Sequence, residues 1–498
     1  METGESARGT DPTTARGGPG ADLVDVAVTP LAPERFRDVL SAESLARFER
    51  TITRGRELMD GRTLWTVNST ARGGGVAEML RSLIGYVRGA GLDARWVVIG
   101  GDAEFFRVTK RLHNRLHGSD DRGRLGEQER AVYERRCAAE AELLAQRLGP
   151  GDVVLLHDPQ TAGMIPRLLA TGLPVIWRAH IGLDRPNDAA RDAWRFLIPY
   201  VERAHAYVFS RPTYAWEGLD RAKVTVIAPS IDAFSPKNQA MAFTGVTAVL
   251  RAAGLAADHH HGSRAVFERL DGSVGRVQRA ARVIEERALR LDAPLVTQVS
   301  RWDRLKDPLG VLAGFAEHVP ADEEPHLVLA GPDVTAVADD PEGAEVLAEV
   351  EAAWRGLPRT ARRRVHLALL PMEDPDENAV IVNALQRRAD VVVQKSIAEG
   401  FGLTVAEAMW KGRPVVATSV GGIQDQIEDG STGLLVAPHD LSAFGERVGD
   451  LLADPHAAER MGAAAWARVR DLFLGPRHLG QYVALLERVL PRRAPSPG

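Results

Sequence analysis

The sequence predicts an α/β protein made of two doubly wound domains that face each other across a central cleft. Three observations predict it. Short, near-continuous apolar runs recur along the chain, amphipathic stretches lie between them, and 498 residues give room for two domains. Apolar runs without polar alternation suit parallel strands covered on both faces, and their alternation with helical patterns argues βαβ units.

The first series of strands is TLWTV (63–67), ARWVVI (94–99), DVVLLH (152–157), PVIW (174–177), AYVFS (206–210) and VTVIA (224–228). The second is PLVTQVS (294–300), HLVLAG (326–331), VHLALL (365–370), DVVVQ (390–394) and RPVVAT (413–418). Helical patterns such as GVAEMLRSLIGYVRGAG (75–91) connect them. Between the two series, 236–290 reads as a partly helical insertion or linker with a polar break, DHHHGSR (258–264), and not as a third domain. Residues 1–22, rich in Gly, Thr, Ala and Pro, read as a disordered tail, and RRAPSPG (492–498) as a second low-complexity stretch.

Composition narrows the function. A net charge of −5 and a pI near 6.3 give no global basic field for nucleic acid or anionic membrane. Cys137 is the only cysteine, so no intrachain disulfide can form, which fits a reducing compartment. The N-terminal stretch lacks the apolar core of a signal peptide, and no run has the roughly 18 apolar residues that a membrane span needs. The expectation is a cytoplasmic protein.

In open α/β sheets, ligands sit beyond the carboxyl ends of the strands. NSTARGGGVAEML (68–80) follows a strand and opens a helix there; Gly73, Gly74 and Gly75 allow close approach to an anion at the helix start, or simply make a tight turn. After the next strand end, Asp158 of HDPQ (157–160) offers a carboxylate to sugar hydroxyls or a cap to a helix. Arg178 and His180 of WRAHIGLD (177–184) alternate and could line a cleft, although a lone histidine is more often structural. The adjacent histidines 259–261 have no carboxylate pattern around them, so no metal site is expected. Arg301 and Lys306 follow the first strand of the second domain, where two cations can neutralise a departing diphosphate or simply be exposed basic residues of a loop. Finally, Glu399 precedes a loop of Gly400, Phe401, Gly402, Leu403 and Thr404, and Glu407 lies about one turn inside the helix that follows. Backbone N–H groups at that helix start can hold phosphate, with Glu407 near a ribose diol and Glu399 left for the sugar.

Glu399-x7-Glu407, with Arg301 and Lys306 upstream and the triple glycine in the first domain, resembles the retaining glycosyltransferases of family 4, which have the GT-B fold of two Rossmann-like domains. VNSTARGGGVAEML, LLHDPQTAGMI, WRAHIGLD, PSID and QKSIAEGFGLTVAEAMWKGRPVV are similar to the trehalose synthase branch, to which fungal-type trehalose phosphorylases are related. The resemblance implies an acceptor domain over 23–235, a nucleotide-sugar domain over 291–475, and a C-terminal helix with a short tail over 476–498 that packs back toward the first domain. It implies that Arg301 and Lys306 bind the donor diphosphate, Glu407 the ribose and Glu399 the transferred glucose. Asp158 and His180 would touch the sugars, with His180 near the reacting centre. Catalytic weight then falls on His180, Glu399, Arg301 and Lys306. The partners are a nucleotide diphosphate-glucose and a sugar acceptor, with no cofactor or metal required and a homodimer left open. The long 236–290 segment departs from the shorter linker expected in archaeal-type members, which leaves the acceptor open.

Overall fold

Burial of the apolar runs decides the architecture. Trp65, Val67, Val154, Leu156, Val175, Trp177, Tyr207 and Phe209 all lie at 1% exposure or less, because helices cover both faces of the sheet that carries them. The computed structural model describes residues 23–71, 74–119, 123, 125–256, 265–322, 324–334 and 341–490. Both terminal tails, the polar break at 258–264 and Gly73 lie outside these.

The first sheet contains β1 (Val24–Asp25), β2 (Thr63–Asn68), β3 (Asp93–Val98), β4 (Val153–His157), β5 (Val175–Ala179), β6 (Ala206–Phe209) and β7 (Val224–Val226). Their order is β1-β3-β2-β4-β5-β6-β7. β1 is antiparallel to β3, and the other neighbours are parallel. A hairpin follows, β8 (Val266–Glu268) with β9 (Val274–Arg276). The second sheet contains β10 (Arg282–Ile284), β11 (Leu295–Val299), β12 (His326–Pro332), β13 (Val365–Leu370), β14 (Val391–Gln394), β15 (Val415–Thr418) and β16 (Leu434–Val436). It runs β10-β13-β12-β11-β14-β15-β16, parallel except for β10. Two such sheets make the doubly wound GT-B architecture.

The segment read as a helical insertion is mixed. Among the described residues it holds one helix, Phe243–Ala252, the β8–β9 hairpin, and β10, which extends the second sheet by pairing Arg282 with Leu369. Strands of three residues among charged neighbours leave too little alternation for a sequence pattern to show.

The domains meet through an apolar cluster of their own. Phe36, Phe48, Tyr86 and Ile231 from the first half pack with Phe401, Val405, Met409 and Phe473 from the second. The last helix, Gly475–Val489, returns to the first sheet, where Leu485 and Leu486 join Val153, Leu155, Ile176 and Val208. This arrangement brings the carboxyl ends of β4 and β5 face to face with those of β11 and β14.

Candidate active site

The loop Glu399–Gly402 enters the helix Leu403–Trp410 through Gly402, whose φ of 84° a side chain would resist. Glu399 is paired with Lys306 and also accepts from Ser396 Oγ at 3.3 Å. Lys306 ends a short 3-10 turn that the second domain holds on all sides. The Asp303 carboxylate accepts from Leu305 N–H at 2.8 Å, Gln298 Nε2 donates to the Lys306 carbonyl at 3.0 Å, and the neighbouring Asp307 pairs with buried Lys395. Arg301 is more open: its side chain is 62% exposed and reaches Asp303 Oδ2 at 2.7 Å.

The first domain presses on this loop directly. A Cβ at Gly400 would lie 3.4 Å from the His180 carbonyl. The Tyr214 hydroxyl, from the first domain, donates between the carbonyls of Gly400 (2.8 Å) and Glu399 (3.1 Å). Asp184 accepts from Gly421 N–H at 3.0 Å and Gln424 Nε2 at 3.1 Å, and Arg211 spans Asp184 and Asp425. Gly75 faces Leu403 so closely that a Cβ would fall 2.3 Å from Leu403 Cδ1, while Gly74, at φ 78°, opens its helix with nothing within 4 Å of an added Cβ among the described residues. His113 and His117 end the helix Ala103–Leu116 with rings 4.9 Å apart. Burial, joined by the charge of Arg301 at both rings and of Lys306 at His117, lowers them to about 3 and about 4, so they stay neutral beside the two cations.

Asp158 has a φ of 63°, a conformation that costs a non-glycine residue about 1–3 kcal/mol. Its Oδ1 accepts from His180 N–H at 2.8 Å, which ties the end of β4 to the end of β5. Burial pushes the carboxyl up to about 7, against the opposing pull of that N–H and of Arg178. His180 is 7% exposed, and its Nε2 lies 2.8 Å from His157 Nδ1.

Glu407 is 2% exposed and lines a cavity between the domains with Glu78, Ser82, Tyr86, Ser230, Asp232 and Leu403. Lys237, on the crossing segment, bonds Glu78 at 2.6 Å and stands 3.7 Å from Glu407 Oε1. Among the described residues Glu407 Oε2 has no partner. Burial raises the Glu407 carboxyl above the usual carboxylate range and lowers Lys411, behind it, to about 7. Burial opposes the charge on Lys237, yet Glu407 and Glu78 together raise its ammonium above the ordinary range.

Two residues expected to line the cleft do not. Arg178 is fully buried, with its donors directed to His180, His478, Tyr482 and the Ile227 carbonyl. Phe401 turns its ring into the interdomain core, 5.7 Å from Phe473, and offers the cleft only backbone. Thr404 turns its hydroxyl to Gln394 Oε1 at 2.9 Å and so contributes a helix-start N–H at most. Sequence reasoning missed Tyr214, Lys237, Asp184 and the pair His113 and His117. A helical spacing of four gave a weak signal for the histidines, and the other three act only through long-range contacts.

Residues 66–216 match the family model for the trehalose synthase N-terminal domain, and 375–468 match that for glycosyl transferases group 1. The chain is 35% identical to the trehalose synthase of Pyrococcus horikoshii over 463 residues, covering 91% of this chain and 95% of that one. It is 34% identical to the trehalose synthase of Rubrobacter xylanophilus, covering 91% and 96%. The trehalose phosphorylase of Grifola frondosa is more distant, at 26% identity over 81% of this chain and 54% of that one. Among solved structures, a UDP-forming α,α-trehalose-phosphate synthase from Burkholderia xenovorans in complex with glucose-6-phosphate matches with a TM-score of 0.64 at 14% identity, covering 86% and 100%. HepE from Anabaena in complex with UDP and glucose matches at 0.57 and 13%, covering 85% and 98%. At such identities the likeness is one of fold. The chain belongs to the trehalose synthase family, glycosyltransferases of the GT-B fold.

Proposed function

We propose that the protein is a retaining glycosyltransferase that moves glucose from a nucleotide diphosphate-glucose to free glucose, forming α,α-trehalose, with no metal ion required. One observation carries the reading: the Glu399–Gly402 loop, with Lys306 paired to Glu399, lies against His180 of the other domain. A sugar seated at that seam meets phosphate-binding cations on one side and the Asp158–His180 wall on the other. The relatives named trehalose synthase support trehalose as the product, and the neighbours solved with UDP or glucose-6-phosphate support a nucleotide-sugar and sugar cleft.

In this mechanism the bond from glucose C1 to the donor phosphate oxygen breaks, and a bond from C1 to the acceptor hydroxyl oxygen forms on the same face. The acceptor proton passes to the leaving phosphate oxygen. Arg301, Lys306 and the N–H groups where the helix Leu403–Trp410 begins stabilise the charge on that phosphate. Glu407 receives the ribose hydroxyls, supported by its unpartnered Oε2 among the described residues. Glu399 turns from Lys306 toward the transferred glucose as the diphosphate takes over the ammonium. The apolar interdomain cluster around Phe401 and Phe473 closes the seam to water.

A donor-by-acceptor screen tests this. Release of nucleoside diphosphate that depends on glucose, unaffected by chelator, is the expected result. Phosphate-dependent cleavage of trehalose without any nucleotide would replace the synthase with a phosphorylase, and binding without turnover across the panel would remove catalysis altogether.

A further inference from the structure

Buried polar groups run in a chain from the cleft to the last helix. His180 Nε2 lies 2.8 Å from His157 Nδ1, and Arg178 Nε lies 3.4 Å from His180 Nδ1. Arg178 Nη1 is 3.0 Å from His478 Nε2 and 2.6 Å from the Tyr482 hydroxyl, and Nη2 reaches the Ile227 carbonyl at 3.1 Å. His478 Nδ1 lies 2.9 Å from Ser230 Oγ. His478 and Tyr482 both belong to the helix Gly475–Val489, 300 and 304 residues along the chain from Arg178.

A guanidinium donates through five N–H groups and accepts nothing. Each ring nitrogen that faces Arg178 must therefore accept. His180 Nδ1 accepts, so its proton sits on Nε2 and is donated to His157 Nδ1, which leaves the His157 proton on Nε2. His478 Nε2 accepts as well, so its Nδ1–H is donated to Ser230. Burial, and after it the charge of Arg178, keeps His157, His180 and His478 well below the usual histidine range, so all three rings are neutral at pH 7. One arginine thus sets three tautomers.

We propose that His478 and Tyr482 are positioning residues for glucosyl transfer: they aim Arg178, which locks the His180 ring in the Nε2-protonated tautomer. The proposal rests on the reading that His180 meets the transferred glucose. With Nδ1 held by Arg178, Nε2 by His157 and its backbone N–H by Asp158, His180 is a fixed wall of the sugar site and not a general base. That agrees with a transfer in which the leaving phosphate takes the acceptor proton. The charged and titratable groups facing His180 are Arg178, His157, Asp158 and, beyond the arginine, His478, with Tyr482 and Arg477 set against Arg178.

The test uses the full chain labelled with 15N-histidine, read by long-range 1H–15N correlation, alongside pH–rate profiles. In the unmodified protein His180 shows a bare Nδ1 and a protonated Nε2, and kcat has no histidine limb between about pH 5 and 8. Arg178→Met releases the tautomer, so that the Nδ1-protonated form appears, and moves the acid limb of kcat upward, although burial still holds it below about pH 6.5. Tyr482→Phe, which keeps the packing volume, lowers kcat about tenfold and leaves donor KM within about twofold. A His180 ring protonated on Nδ1, or on both nitrogens at pH 7, overturns the proposal, and this needs no variant to fold. So does Arg178→Met with an unaltered tautomer and profile, or Tyr482→Phe with unaltered kcat. If the tautomers and profiles behave as expected but His180→Ala transfers glucose normally, the relay stands and the placement of His180 against the sugar falls.

Discussion

Replacing Gly421 by alanine tests the placement of Glu399 without touching any group assigned to chemistry. Gly421 has a φ of 49°, and a Cβ there would lie 1.7 Å from the Glu399 carbonyl oxygen and 3.0 Å from the Tyr214 hydroxyl. Real Cβ atoms essentially never approach closer than 3.0 Å, so the two backbones must separate by 3.0 − 1.7 = 1.3 Å. Backbone cannot swing aside as a flexible side chain would. The displacement carries Glu399 away from Lys306 and pulls its carbonyl from Tyr214. Misplacement of about 1 Å in a catalytic constellation costs about 10²-fold, so kcat/KM should fall about 100-fold, or about 2.7 kcal/mol. Gly430→Ala is the control. Its φ is 76° and nothing lies within 4 Å of the added Cβ, so it carries the same left-handed strain, about 1–2 kcal/mol, without the clash. Steady-state nucleoside diphosphate release and thermal unfolding of both variants give the comparison. A larger unfolding shift in Gly421→Ala than in Gly430→Ala, with activity lost only in Gly421→Ala at a temperature where both remain folded, is the expected outcome. Normal turnover in Gly421→Ala, or equal losses in the two variants, would refute the reasoning.

Other perturbations read other parts of the site. Lys306→Met should lower kcat by about 10²-fold or more, the scale for removing one charge-stabilising donor; turnover within threefold of normal would exclude that role. Glu407→Gln should raise donor KM by about tenfold or more with acceptor KM unchanged, because a buried ribose diol loses a charged acceptor, and isothermal titration with the nucleoside diphosphate checks it. Stability should fall on acidification. His157, His180 and His478 have folded pKa values depressed below about 6.5, so their contribution is present above that pH and is lost as pH falls toward the folded values. A ring that cannot accept a proton in the folded state contributes a loss of about 2 kcal/mol at pH 5. Urea unfolding at pH 7 and pH 5 should differ accordingly, and equal midpoints would contradict the buried neutral rings.

Much of the fold was legible because burial on two faces leaves a plain trace. VHLALL spans the whole of β13, and Val365 to Leu370 are all at 2% exposure or less. β1, β8, β9, β10 and β16 left no such trace, since two or three residues cannot display a period; β7 is as short, but its apolar run continues through VTVIA. At the candidate site, the places of Glu399, Glu407, Arg301 and Lys306 after strand ends and around a glycine turn could be read from the sequence, and the structure brings Glu399 and Lys306 together. The side chains of Arg178 and Phe401 could not. Both occupy motif positions, and only the C-terminal helix and the interdomain core, far away in sequence, reveal that they point inward. Lys237 was equally silent, because its meaning depends on Glu78 and Glu407 arriving from two domains.

The central claim is that the seam between His180 and the Glu399–Gly402 loop joins two glucose units with the donor configuration kept. The most direct measurement is 13C NMR of the product made from nucleotide diphosphate-[1-13C]glucose and unlabelled glucose. The account predicts a single labelled anomeric carbon in non-reducing α,α-trehalose, with one nucleoside diphosphate released for each disaccharide. A reducing disaccharide, a β-linked product, or label recovered only as free glucose would contradict it.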